Sequence, residues 1–188
     1  MPDVLQQAMQ SFATQNTITA DITIFCAEYL VYVLVVAWLI VIVVKYRTIT
    51  LNALIRTVLL AGISFVLSLV LTQIIIDPRP YLVEHLNHTL VPVSTDNGFP
   101  SDHTLLAAFL ATSLWWLRRR FIPYFAAGTL LVALARLGIA AHHTLDVAGS
   151  IVIVLVVALV LGAIPLPKAW DKPLLGGTKQ RPAQVARR

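Results

Sequence analysis

Residues 22–44 read ITIFCAEYLVYVLVVAWLIVIVV, 23 positions with one acid, Glu28, near the start and no base. A helix crossing a hydrocarbon core of roughly 30 Å needs about 20 mostly apolar residues, so this stretch can cross a bilayer by itself. Others resemble it. Residues 57–76 carry no charge, 121–141 carry only Arg136, and 147–166 carry none. Residues 104–117 are short for a span, but extended to 101–118 they make a fifth, provided the outer end is recessed in protein. With 58% hydrophobic and 12% charged residues and a mean hydropathy of +0.81, a water-soluble globule, which carries about 25% charged residues, is excluded. The expectation is an all-α integral membrane protein, a bundle of five transmembrane helices.

The net charge of +5 over 188 residues would suggest nucleic acid only if the bases shared one polar face. They sort by membrane side instead. Lys45, Arg47, Arg56, Arg118, Arg119, Arg120, Lys168, Lys172, Lys179, Arg181, Arg187 and Arg188 fall in one set of connections, twelve of fourteen bases. Retention of Lys and Arg on the cytoplasmic side places the N-terminus outside and the C-terminus inside. Only Arg79 and Arg136 lie on the outer side, among eight of nine acids and all five histidines.

No base precedes Lys45, so the start lacks the basic region of a secretory signal peptide and the first span is expected to stay in the mature protein. Residues 1–21 set Val4, Leu5, Ala8, Met9 and Phe12 on one helical face, as an amphipathic helix in the outer interface would; a soluble, frayed terminus is the other reading. The membrane domain is expected over 22–166. Residues 167–188, with three prolines and Gly176-Gly177, read as a disordered cytoplasmic tail. The single cysteine, Cys26, excludes an intramolecular disulfide and a cysteine-rich metal site. There is no GxxxxGK[ST] loop, which argues against a nucleotide-driven pump.

Three clusters on the outer side carry chemistry. Asp77-Pro78-Arg79-Pro80 follows the second span; its prolines stop the helix and fix the backbone around Arg79, whose planar fork suits a phosphate. A headgroup anchor, or a pair with Asp77, is the plainer reading. Phe99-Pro100-Ser101-Asp102-His103 opens the third span. Ser101 or Asp102 can cap it, its free N–H groups form an anion site, and His103 stands at the mouth of an apolar helix. In the third cluster, Arg136 precedes His142 and Asp146. The last two, four apart, share a face if the helix continues. The carboxylate would then hold one ring N–H and leave the other nitrogen a directed lone pair. A structural Arg136–Asp146 pair would also account for an intramembrane arginine.

Together these clusters resemble the type 2 phosphatidic acid phosphatase (PAP2) superfamily of metal-independent membrane phosphatases, whose motifs run K-x6-R-P, P-S-G-H and S-R-x5-H-x3-D. Arg79-Pro80, Pro100-Ser101-x-His103 and Arg136-x5-His142-x3-Asp146 match in order, across residues 22–166. Thr72 stands at the motif lysine, Asp102 at the glycine and Ala135 at the serine. Asp-Pro-Arg-Pro, Phe-Pro-Ser-Asp-His and Ala27-Glu28-Tyr29 look like the bacitracin-resistance branch, undecaprenyl-diphosphate phosphatases that support recycling of the cell-wall lipid carrier. The resemblance implies His142 as nucleophile, oriented by Asp146, and His103 as general acid and base. It implies Arg79, Arg136 and Ser101 as phosphate ligands.

No metal or other cofactor is expected. His143, about 100° around a helix from His142, is expected to be a headgroup contact or a spectator. His85 and His88 read as solvated loop residues, with substrate contact as the other reading, and Trp115 and Trp116 as an interfacial belt. Glu28 is expected to bond an active-site residue, since an acid in a span needs a partner; Asp77 and Asp102 are possible supporting residues. The expected partners are the bilayer and a polyprenyl or glycerolipid phosphate. The expected location is a bacterial cytoplasmic membrane, with the active site facing the exterior. The alternatives are a phosphatidylglycerophosphate or phosphatidic acid phosphatase and, in another class, a non-catalytic transporter or lipid-binding protein.

Overall fold

The computed structural model describes residues 3–84 and 89–174. His85, His88 and the tail from 175 onward lie outside the described residues. Helix α1 spans Val4–Ala13. Then α2 (Thr17–Ile24), a π-helical turn (Phe25–Tyr29) and α3 (Leu30–Lys45) run together as the 32-residue helix Thr17–Thr48. They are followed by α4 (Leu51–Ile74), the single turn α5 (Pro80–Val83), α6 (Asp102–Leu117), α7 (Ile122–Gly138) and α8 (Thr144–Ala163). Among the described residues the protein is all-helical, with no strand, and four helices there are long and apolar enough to cross a membrane.

Helix ends follow local chemistry and shift the expected boundaries. The first span begins at Thr17 rather than 22. There the Asn16 side chain accepts from the Thr19 N–H at 3.0 Å while the Thr19 hydroxyl accepts from the Asn16 N–H at 3.2 Å, a reciprocal cap of two free donors. The second begins at Leu51 rather than 57 because the Thr50 hydroxyl accepts from the Ala53 N–H at 3.1 Å. The last runs Thr144–Ala163 rather than 147–166.

At the centre stands α6, which packs most extensively on α7 and α8 and also on α3 and α4. Leu110, Leu114, Val31, Leu34 and Val132 fill one side of the core; Leu60, Leu105, Val154 and Val157 fill the other. Val36, Ile40, Val66, Val70 and Leu159 point outward and are exposed. Helices that are apolar all round fit a bundle whose solvent is lipid.

The terminal helix packs on the bundle by one face only. Val4, Leu5 and Phe12 are exposed, whereas Gln6 and Ala13 are fully buried, because α1 docks on α7. Asp3 pins it: its carboxylate accepts from the Thr144 N–H and hydroxyl, both at 2.6 Å, and from the Gln6 N–H at 3.1 Å, capping α1 and α8 together. Burial opposes ionisation of Asp3, but the Thr144 hydrogen bonds outweigh it and hold the carboxyl below its usual range. Arg56, expected as an orienting surface charge, is buried and donates to the carbonyls of Leu161 and, at 2.8 Å, Ile164, closing the C-terminal end of α8.

Candidate active site

The loop after α4 is organised by Asn97. Its side-chain oxygen accepts from the Asp77 N–H at 2.7 Å, and its amide lies within hydrogen-bond distance of the carbonyls of Thr72, Ile75 and Phe99 and of the Thr72 hydroxyl. Thr72, at the family's lysine position, therefore anchors the loop and holds no phosphate-facing charge. Gly98 N–H donates to the Asp77 carbonyl at 2.8 Å. A Cβ at Gly98 would stand 2.8 Å from that carbonyl oxygen and 3.3 Å from Asp146 Oδ2, so only glycine fits.

Arg79 caps α5 from the extended backbone that the flanking prolines favour. It is paired with Asp96, not Asp77: Nε and Nη2 each donate to an Asp96 oxygen at 3.0 Å, while Nη1 donates to the Ala141 carbonyl at 3.2 Å. Burial opposes ionisation of Asp96, but the Ser94 hydroxyl and Arg79 hold its carboxyl below the usual range. Arg136, near the end of α7, pairs with Glu28 from the π-helical turn; its Nε is buried without a partner. A structural Arg136–Asp146 pair is not what forms.

The condition for a shared helical face, that the helix continue from His142 through Asp146, is not met. Helix α7 stops at Gly138, Ala140 adopts φ 56°, and α8 starts at Thr144, so His142 sits in the intervening turn. The ring is 2% exposed. Its Nδ1 lies 2.8 Å from the Gly98 carbonyl and 3.5 Å from Asp146 Oδ2. A carbonyl can only accept, so Nδ1 carries the proton and Nε2 presents its lone pair. That Nε2 faces Arg79 Nη1 at 3.4 Å and Arg136 Nη2 at 3.3 Å. Burial first, then the charges of Arg136 and Arg79, push the imidazole down to about 3.

Asp146 is fully buried in the first turn of α8. Its Oδ2 accepts from the His143 N–H at 2.7 Å, and Oδ1 has no partner. Ser150 ties this turn to the start of α6 by donating to the carbonyls of Asp146 and Ser101. His143 is N-cap of α8 and sets Nδ1 3.1 Å from Asp77 Oδ1. Burial, then the neighbouring Asp146, raise the Asp77 carboxyl despite His143. The donor atoms of Asp77, His143 and Asp146 lie within 4.8 Å of one another, a spacing that could hold a cation.

Ser101 is the N-cap of α6, fully buried, its oxygen accepting from the Thr104 hydroxyl at 3.1 Å. His103 lies edge-on to Tyr32 with ring centroids 6.4 Å apart. Asp102 is exposed and stands apart. The structure thus brings Arg79, Ser101, His103, Arg136, His142 and Asp146 to one end of the bundle, with Glu28, Asp77 and His143 around them. Asp96, Asn97 and Gly98 were not foreseen as site residues; the turn dipeptide Asn97-Gly98 was the available signal.

A buried neutral imidazole aimed between two guanidiniums, on an all-helical membrane scaffold, defines the class. Residues 50–168 match the sequence profile of the PAP2 superfamily; the chain belongs to that superfamily and is a phosphatase. It is 28% identical over 155 residues to undecaprenyl-diphosphatase BcrC of Bacillus subtilis (strain 168), which covers 80% of this chain and 77% of the relative. No solved structure matches it significantly.

Proposed function

We propose that the chain removes the terminal phosphate of undecaprenyl diphosphate, yielding undecaprenyl phosphate and inorganic phosphate, through a phosphohistidine on His142. The observation that carries this reading is the position of His142 Nε2, 3.4 and 3.3 Å from the guanidiniums of Arg79 and Arg136. An electron pair on that nitrogen forms the N–P bond as the bond from phosphorus to the bridging oxygen breaks. His103 gives that oxygen its proton. A water that loses a proton to His103 then attacks phosphorus, breaks the N–P bond and releases phosphate. Arg79, Arg136, whose Nε has no partner, and Ser101 receive the charge on the equatorial oxygens. Asp146 helps orient the imidazole and stabilises it when charged. Similarity to the Bacillus subtilis diphosphatase supports the substrate.

In this reading α6, 16 residues long at the centre of the bundle, is the fifth span. Its start is recessed so that a headgroup reaches Ser101 and His103. Residues 1–21 form an interfacial segment outside, 22–166 the phosphatase domain and 167–188 a cytoplasmic tail. The site faces the exterior of a bacterial cytoplasmic membrane. The test is phosphate release by purified protein from undecaprenyl diphosphate, phosphatidylglycerophosphate and phosphatidic acid. Preference for the first is expected, with turnover abolished in a folded His142→Ala variant. A glycerolipid preference would overturn the substrate, and full activity of the variant would overturn the mechanism.

A further inference from the structure

At the end of the bundle opposite His142, a cavity of about 650 Å³ is lined by Arg56, Arg118, Arg119, Arg120, Trp115 and Trp116, among others. One acid, Asp171, shares it, and that carboxylate already accepts from the Asn52 amide at 2.6 Å. None of the four arginines is in an ion pair among the described residues. Arg56 and Arg119 lie over the rings of Trp116 and Trp115, at 6.0 and 4.5 Å. Arg118 donates to Thr48 but leaves its buried Nε without a partner.

A second cavity, of about 700 Å³, runs between α6, α7 and α8, lined by side chains such as Ala111, Ala126, Thr129, Ile151, Leu155 and Ala158. Helices α7 and α8 touch each other little, which leaves this cleft along α6. The two cavities share Trp115, Trp116 and Gly162. At these shared residues an apolar cleft adjoins a cationic mouth where the helices end.

We propose that this site holds an anionic phospholipid of the leaflet at the arginine end, acyl chain in the cleft and phosphate at Arg118 and Arg119. The charge selects the occupant, because a zwitterionic headgroup would bring its own cation among four guanidiniums. Guanidiniums suit phosphate oxygens through paired N–H donors. The cleft asks for a chain, which free phosphate lacks. Trp115 and Trp116 would therefore line a lipid site rather than serve only as a belt.

The same tryptophans supply the readout. The full chain is reconstituted in phosphatidylcholine containing a small fraction of phosphatidylglycerol, with bromine on the acyl chains of one lipid or the other. Tryptophan fluorescence should be quenched more by brominated phosphatidylglycerol than by brominated phosphatidylcholine at equal mole fraction. Apparent affinity should fall about fivefold for each arginine removed, Arg118→Gln or Arg119→Gln, in line with the contribution of a single lipid-facing charge. Gly162→Leu should reduce quenching by filling the junction; a Cβ there meets nothing within 4 Å, so the backbone need not move. Phosphatase activity, exerted at the opposite end, should persist in these variants and report their folding. Equal quenching by both lipids in the wild-type protein would overturn the proposal, as would release of the phosphatidylglycerol preference by millimolar inorganic phosphate alone. The wild-type comparison decides the matter even if a variant fails to fold.

Discussion

His142 shows how a single side chain is made ready for one chemistry. Gly98 fixes its tautomer, two arginines flank its lone pair, and burial keeps it neutral. Gly98→Ala forces a Cβ to within 2.8 Å of the Asp77 carbonyl, displacing the carbonyl that holds Nδ1. Turnover should fall by roughly tenfold or more, the loss expected from a small misplacement of a reacting group, with substrate affinity less affected; steady-state kinetics measure both. The pH response has a definite sign. The unfolded chain takes up the His142 proton below about 6.5, whereas the folded chain takes it up only near 3. Stability therefore falls as pH drops through that window. Melting in detergent at pH 4 and pH 7 should differ less for His142→Asn than for the parent. The Asp77, His143 and Asp146 group is the place where a cation could intervene. Because Arg79 and Arg136 already supply positive charge at Nε2, a chelator should leave phosphate release unchanged; loss restored by a divalent cation would contradict this.

Helix ends, more than helix middles, build the site. The π-helical turn presents Glu28 to Arg136, the break between α7 and α8 aims His142, and the first turn of α6 offers Ser101 and His103. Pi-helical turns recur at functional sites because one extra residue re-aims the side chains around it. Asp3 links the terminal helix to this region by capping α8 through Thr144. Asp3→Ala should lower stability by about 1 kcal/mol, the usual loss for a helix cap, and free α1 from α7. Thermal unfolding would register the first, and proteolysis near residues 13–17 the second. The length of apolar runs found the long helices, because a bilayer sets how many such residues a span needs. It did not find the π-helical turn or the stop at Gly138, since neither changes hydropathy.

Across the whole molecule, charge is divided between two ends, and the division supports an orientation with the His142 end outside. Once Cys26 is replaced by alanine, a cysteine at exposed Thr95 should react with a membrane-impermeant maleimide added to intact cells. One at exposed Lys172 should react only after permeabilisation. The reverse pattern would invert the topology. The all-helical membrane class and the phosphatase motifs were legible from residue order alone, because bilayer thickness sets span length and phosphate chemistry requires few residue types at few spacings. What residue order could not supply was partnership. That Arg79 meets Asp96, that the Gly98 carbonyl holds His142, and that Arg56 closes α8 depend on distances between segments far apart in the chain. Those distances are decided by how helices of nearly uniform hydropathy pack, and hydropathy is silent on which faces meet.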